Sequence, residues 1–298
     1  SMIRFAQFAA LALLSTSAVP ALAAGDLLVA PTRLLLDGGR GTEIVLNNIG
    51  SEPATYRISL ELRRMNAQGG LDEVAATSVN ATETAALGMI SYAPRRVTLP
   101  PNQPQTIRVG ARFAEGLADG EYRAHMLFRA IPNAKAPVAP ADGRPGLSIA
   151  LTPIYGVTIP VIVRKGALNA VGTMRDVRLV PAVPSVAGAM SDRALAFTLT
   201  RSGTRSLYGR IVVRKAGVAK PIYEARGIAV YAETAERTVT LPLKTADRLS
   251  MSGPVVVEYR EDDETGALIA SASVQDKVAV VAVRFEADIA AVTRNEAD

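Results

Sequence analysis

The chain has 298 residues, 49% of them hydrophobic and 20% charged, a globular composition that fits two domains of ordinary size. It contains no Cys and a single His, which excludes disulfides, thiolate metal sites, cysteine nucleophiles and two-His metal motifs, and a Ser/His/Asp triad would have to recruit His125. The formal net charge of +5 is carried mostly by Arg and would suit an anionic partner, but 5% aromatic content with no Trp supplies no base-stacking platforms, so nucleic acid is not expected.

At the start of the chain, Met2 and Arg4 form a short basic region, Phe5 to Val19 is an apolar run, and Ala21-Leu22-Ala23 supplies a small-residue cleavage site. We read residues 1–23 as a secretory signal cut before Ala24. The apolar run is shorter than the ~20 residues a spanning helix needs, so no stable membrane insertion is expected.

Beyond this point the pattern alternates with period two. Glu43 to Asn47, Thr55 to Arg63 and Thr106 to Val109 interleave apolar and polar residues and are rich in β-branched types, as half-buried strands are. Turn signals recur at Asp37-Gly38-Gly39, Gln68-Gly69-Gly70, Pro100-Pro101-Asn102, Asp119-Gly120, Ser202-Gly203 and Thr265-Gly266. Few windows look helical. The expected fold is all-β: two immunoglobulin-like sandwiches in tandem, over residues 24–166 and 167–285, with a polar tail over 286–298. Further strands are expected over 168–179, 194–200, 207–214, 222–231, 237–243, 254–260 and 278–285. The direct linker near Arg164-Lys165-Gly166 implies a fixed elbow with a cleft between the domains.

Most candidate chemistry fails on inspection. Gly38-Gly39-Arg40-Gly41 lacks the ending of a phosphate loop and reads as a hairpin turn. Glu261-Asp262-Asp263-Glu264 sits between strand patterns and reads as a solvated hairpin tip. Asn80-Ala81-Thr82 matches a common glycosylation pattern, and His125 reads as a plain strand residue. No catalytic residue, metal site or cofactor is expected.

Two features stand out. Leu147, Ile149 and Leu151 place aliphatics on one face of a strand that continues through Val157, Ile159, Val161 and Val163, far longer than the usual ~5 to 6 residues. Pro153 and Pro160 interrupt it and demand positions where no ladder N–H is needed. Such an edge is an aggregation hazard unless a partner strand covers it. The second feature is Arg33, which interrupts the apolar opening strand and incurs a desolvation penalty unless an anion meets it.

Taken in chain order, these residues resemble the periplasmic chaperones of the chaperone/usher pathway that assemble pili and fimbriae. The resemblance rests on Thr32-Arg33, Ile44 to Asn48 followed by Pro53, the block Ile90 to Val109 with Tyr92-Ala93-Pro94-Arg95 and Leu99-Pro100, then Glu121-Tyr122-Arg123 to Ile131-Pro132, and the aliphatics Leu147, Ile149 and Leu151. It covers residues 27–165 well. The second half is similar only in strand pattern and in Arg201-Ser202-Gly203, Gly227 and Tyr231.

The resemblance implies donor-strand complementation, in which the exposed strand fills a groove in an incomplete pilin-like secreted subunit that is then delivered to an outer-membrane usher. It implies that Arg33 anchors the subunit's C-terminal carboxylate with help from a Lys on the last strand. Counting from Leu147, Ile149 and Leu151, that Lys falls at Gly156, while Arg164 and Lys165 lie too far along to replace it. A divergent branch of the family is the expectation. The competing reading is a secreted structural or adhesive protein that uses the same fold without a chaperone role. These are separated by whether usher and subunit genes lie alongside, and by whether the protein stays on the surface.

Overall fold

Period-two burial organises the first half of the chain. In the computed structural model, which describes residues 27–132, 154–182 and 193–275, this half comprises β1 (Leu27–Ala30), β2 (Leu34–Leu36), β3 (Thr42–Asn48), β4 (Ala54–Glu61), β5 (Arg63–Met65), β6 (Leu71–Glu73), α1 (Ala81–Met89), β7 (Ile90–Ala93), β8 (Arg96–Leu99), β9 (Gln105–Ala111), β10 (Gly120–Ile131) and β11 (Gly156–Lys165). One sheet has the order β1-β3-β9-β7 and faces a second with the order β2-β11-β10-β4-β8. Ile44 and Leu46 from the first sheet meet Tyr56, Met126, Phe128 and Val161 from the second in one dry core. Side chains one residue along point away from it, as the pleat requires.

The second half repeats the plan. It runs β12 (Ala170–Pro181), β13 (Arg193–Gly203), β14 (Leu207–Lys215), β15 (Tyr223–Val230), β16 (Glu236–Pro242), α2 (Thr245–Ser250), β17 (Pro254–Glu261) and β18 (Leu268–Gln275). Sheets β12-β13-β16 and β15-β14-β17-β18 enclose a separate core built on Phe197, Leu199, Ile211, Val257 and Tyr259. The fold is thus all-β, two immunoglobulin-like sandwiches in tandem.

Several local expectations change on contact with the structure. Gly38 to Gly41 does form a turn, but it carries the chain from β2 in one sheet to β3 in the other and is not a hairpin. Asn80 is the N-cap of α1: it accepts a hydrogen bond from Glu83 N, and the Glu83 carboxylate accepts from Asn80 N, so its side chain already has a structural partner. The acidic tip does close the β17–β18 hairpin, with Asp263 accepting from Thr265 N and Gly266 N. The last described strand is Leu268–Gln275, which the sequence reading passed over, while the strand expected over 278–285, the signal segment and the polar tail lie outside the described residues.

Between the sandwiches the chain turns at Gly166, whose φ of +81° is open to glycine at little cost and where a Cβ would collide with Asp119. A third apolar cluster seals the joint: Met65 and Ile162 of the first sandwich against Ala229 and Tyr231 of the second. The β5–β6 hairpin reaches across it. Met65 N donates to Glu233 Oε1 at 2.9 Å, Thr234 Oγ1 donates to Met65 O at 3.2 Å, and Thr238 N donates to Ala67 O at 2.7 Å. Among the described residues no helix is long and apolar enough to cross a membrane.

Candidate functional site

The site is built on β11 and what lies beside it. On one side β11 pairs with β10 along its whole length, from Gly156 opposite Arg129 to Lys165 opposite Gly120. On the other side β2 runs parallel to it and pairs only over Val161, Ile162 and Val163. Among the described residues, nothing pairs with the stretch Gly156 to Pro160 on that side. The ladder alternates, and Ala130 N donates to Tyr155 O, so Tyr155, Val157 and Ile159 turn their backbone groups toward β10. Gly156, Thr158 and Pro160 therefore turn theirs outward. Pro160 sits where its missing N–H breaks no bond, as the sequence demands. Upstream of this open edge, Ile154 and Tyr155 are 51% and 44% exposed. Leu147, Ile149 and Leu151, the aliphatics singled out from sequence, lie outside the described residues.

Arg33 stands where the open edge ends. It precedes Leu34, which pairs with Val161. Its guanidinium lies 4.3 Å from the centre of the Tyr208 ring of β14, so it faces the cleft between sandwiches. Its Nε is buried without a hydrogen-bond partner, and among the described residues it forms no ion pair. Burial holds its pKa below the ordinary arginine value, the nearby charge of Arg164 adds to this, and Tyr231, Tyr208 and Glu121 work the other way.

The second cation is a correction to the sequence reading. Gly156, the position counted as the missing Lys, lies five residues before Val161, roughly 17 Å from the Arg33 end at ~3.3 Å per residue. The cation whose charge acts on Arg33 is instead Arg164, farther along β11 than the expected position. Arg164 is itself engaged: its Nε donates to Glu121 Oε2 at 2.9 Å, and the same oxygen accepts from Ser206 N and Ser206 Oγ at 3.0 Å, tying the two sandwiches together. Glu121 and Ser206 went unnoticed in the sequence because nothing local marks a carboxylate that meets its partners only across the joint.

The cleft beyond Arg164, about 370 Å³, is lined by Gly166, Leu168, Arg205, Glu261 and Asp263. Its charges are already matched, Arg205 with Glu261 at 3.4 Å and Asp263 with its own turn. A wider depression of about 420 Å³ lies on the opposite sheet around Ser91 and Tyr92, and there Arg108 and Glu43 pair at 3.6 Å. Neither leaves an unmatched charge. His125 is wholly buried at the joint, its ring edge-on to Tyr231 with centroids 6.3 Å apart and both ring nitrogens unpartnered. Among the described residues no group of His, Asp and Glu is arranged to hold a metal.

No family model matches the chain, and neither does any curated protein. Solved structures similar to it include the E. coli chaperone DraB, at 13% identity and a TM-score of 0.43 over 84% of this chain and 96% of that one. Another is the CsuC–CsuE chaperone–tip subunit pre-assembly complex of archaic chaperone-usher Csu pili from Acinetobacter baumannii, at 12%, 0.41, 85% and 99%. A third is the Salmonella enterica SafA pilin in complex with the SafB chaperone, at 15%, 0.39, 84% and 95%.

Proposed function

We propose that this protein is a periplasmic chaperone that holds pilus- or fimbrial-type secreted subunits by donor-strand complementation, with an outer-membrane usher as the receiver. The observation that carries the reading is the alignment of the open β11 edge with Arg33. Because β2 is parallel to β11 and begins opposite Val161, a guest strand laid parallel along Gly156 to Pro160 is collinear with β2. Its C-terminal carboxylate then arrives at the Arg33 guanidinium, whose Nε has no hydrogen-bond partner and which forms no ion pair among the described residues. An antiparallel guest would bring an ammonium to the same cation and be repelled. Thus Arg33 selects both the direction of the guest and where it ends, and the exposed Ile154 and Tyr155 with Leu147, Ile149 and Leu151 before them in sequence supply apolar side chains to the guest's groove.

A nonapeptide of alternating Ser and Val, prepared as the free acid and as the C-terminal amide, tests this. The acid should bind the wild type about tenfold or more tightly than the amide, since a charge-assisted hydrogen bond contributes ~1.5 to 3 kcal/mol. Arg33→Ala should remove the preference. Equal binding of acid and amide to the wild type contradicts the reading.

A further inference from the structure

A row of arginines crosses the outer face of the sheet beside the open edge, and among the described residues it has no counter-charge. On β8, β4 and β10, Arg96 stands opposite Arg57 and Arg57 opposite Arg129, with Gly156 of β11 next in the same row. The inward neighbours Val97, Tyr56 and Phe128 are buried, so the three arginines share the outward face, where all are exposed. Like charges directly opposite on adjacent strands are destabilising. None of the three forms an ion pair or a side-chain hydrogen bond among the described residues, in a protein whose other strand arginines pair extensively, as Arg63 does with Glu61, Arg123 with Glu233 and Arg214 with Glu258. The segment over 133–153 carries Lys135 and Arg144 against a single acid, Asp142, a net positive composition.

Gly156 completes the geometry. It carries no side chain between Arg129 and the open edge, and a Cβ there would press on Leu127 Cδ1 at 3.1 Å. Strands are spaced ~4.8 Å apart, so a guest residue in this row has its α-carbon about 9 to 10 Å from that of Arg129. An extended arginine and a glutamate span that distance across a glycine.

We propose that the guest strand carries an acidic side chain at the position facing Gly156, which the Arg96-Arg57-Arg129 row recognises. This rests on the guest lying along β11 as described above, and it adds a sequence requirement: an acid four residues before the C-terminal residue that meets Arg33. The row then fixes the register of the guest at one end as Arg33 fixes it at the other.

The probe is the same Ser/Val nonapeptide as the free acid, with its central Ser, four residues from the end, kept, replaced by Glu or replaced by Lys, titrated at low salt against the full protein. The Glu peptide should bind about tenfold more tightly than the Lys peptide, with the Ser peptide between them and the spread shrinking as salt rises. In the double variant Arg57→Ser/Arg129→Ser, whose folding is checked by thermal unfolding, the Glu and Lys peptides should bind alike. Equal binding of all three peptides to the wild type overturns the acidic requirement while leaving the guest strand in place. Discrimination that persists in the double variant overturns the assignment to this row. Failure of every peptide to bind overturns the guest-strand reading and this inference with it.

Discussion

His125 shows how much one residue sets at this joint. Burial, with the charges of Arg123 and Arg63, lowers its pKa to about 3, against the opposing pull of Glu233, and Glu61 stands opposite it on β4. A histidine whose folded pKa lies below its unfolded value favours folding only while neutral. Its contribution is therefore complete above pH 6.5 and is lost as pH falls toward 3, by about 4 kcal/mol at the lower limit. The melting temperature should fall over that window, and His125→Leu should flatten the fall without lowering stability at pH 7, because neither ring nitrogen has a partner to lose. Superimposable acid profiles for variant and wild type would contradict this. Nothing in the sequence marks it: an isolated His in an alternating strand looks the same whether its face meets water or a second domain.

At the scale of elements, the β5–β6 hairpin decides whether the elbow is fixed. Glu233 is the centre of that contact, accepting from Met65 N and from Arg123, which also lies 3.7 Å from the Tyr231 ring. Glu233→Ala leaves Arg123, with only 9% of its side chain exposed, without its counter-charge. A loss of about 2 kcal/mol is expected in thermal unfolding, allowing for the partial exposure of Glu233, together with a larger radius of gyration by small-angle scattering as the sandwiches separate. An unchanged radius would show that the apolar cluster and the remaining hydrogen bonds hold the joint without Glu233. Strands were the most legible elements, because alternation such as Thr55 to Arg63 reports the buried face directly. α1 was missed although Asn80 and Glu83 have capping-box spacing, since its small residues bury only Ala86 and Met89 and leave no strong helical stripe. The register of β11 was misjudged for a different reason: aliphatics continue on both sides of Pro153 and Pro160, so counting from Leu147 cannot show where the strand meets Arg33.

At the scale of the whole molecule, the joint between the two sandwiches lies beside the stretch of β11 that no described strand pairs on the β2 side. The first sandwich supplies the open edge and Arg33, and the second supplies Tyr208, on which that guanidinium rests, and Ser206, which fixes Glu121 and through it Arg164. Arg33 was legible in the sequence as a cation among aliphatics; that it stands at the foot of an unpaired edge was not, because the parallel pairing of β2 with β11 joins residues more than a hundred positions apart. The most direct measurement is residue-resolved amide hydrogen exchange, with and without the free-acid Ser/Val nonapeptide. If a guest strand fills the edge, the outward-facing amides of Gly156 and Thr158 gain protection, while those of Val157 and Ile159, already bonded to β10, change little. Binding that leaves Gly156 and Thr158 exchanging as fast as before would contradict the account.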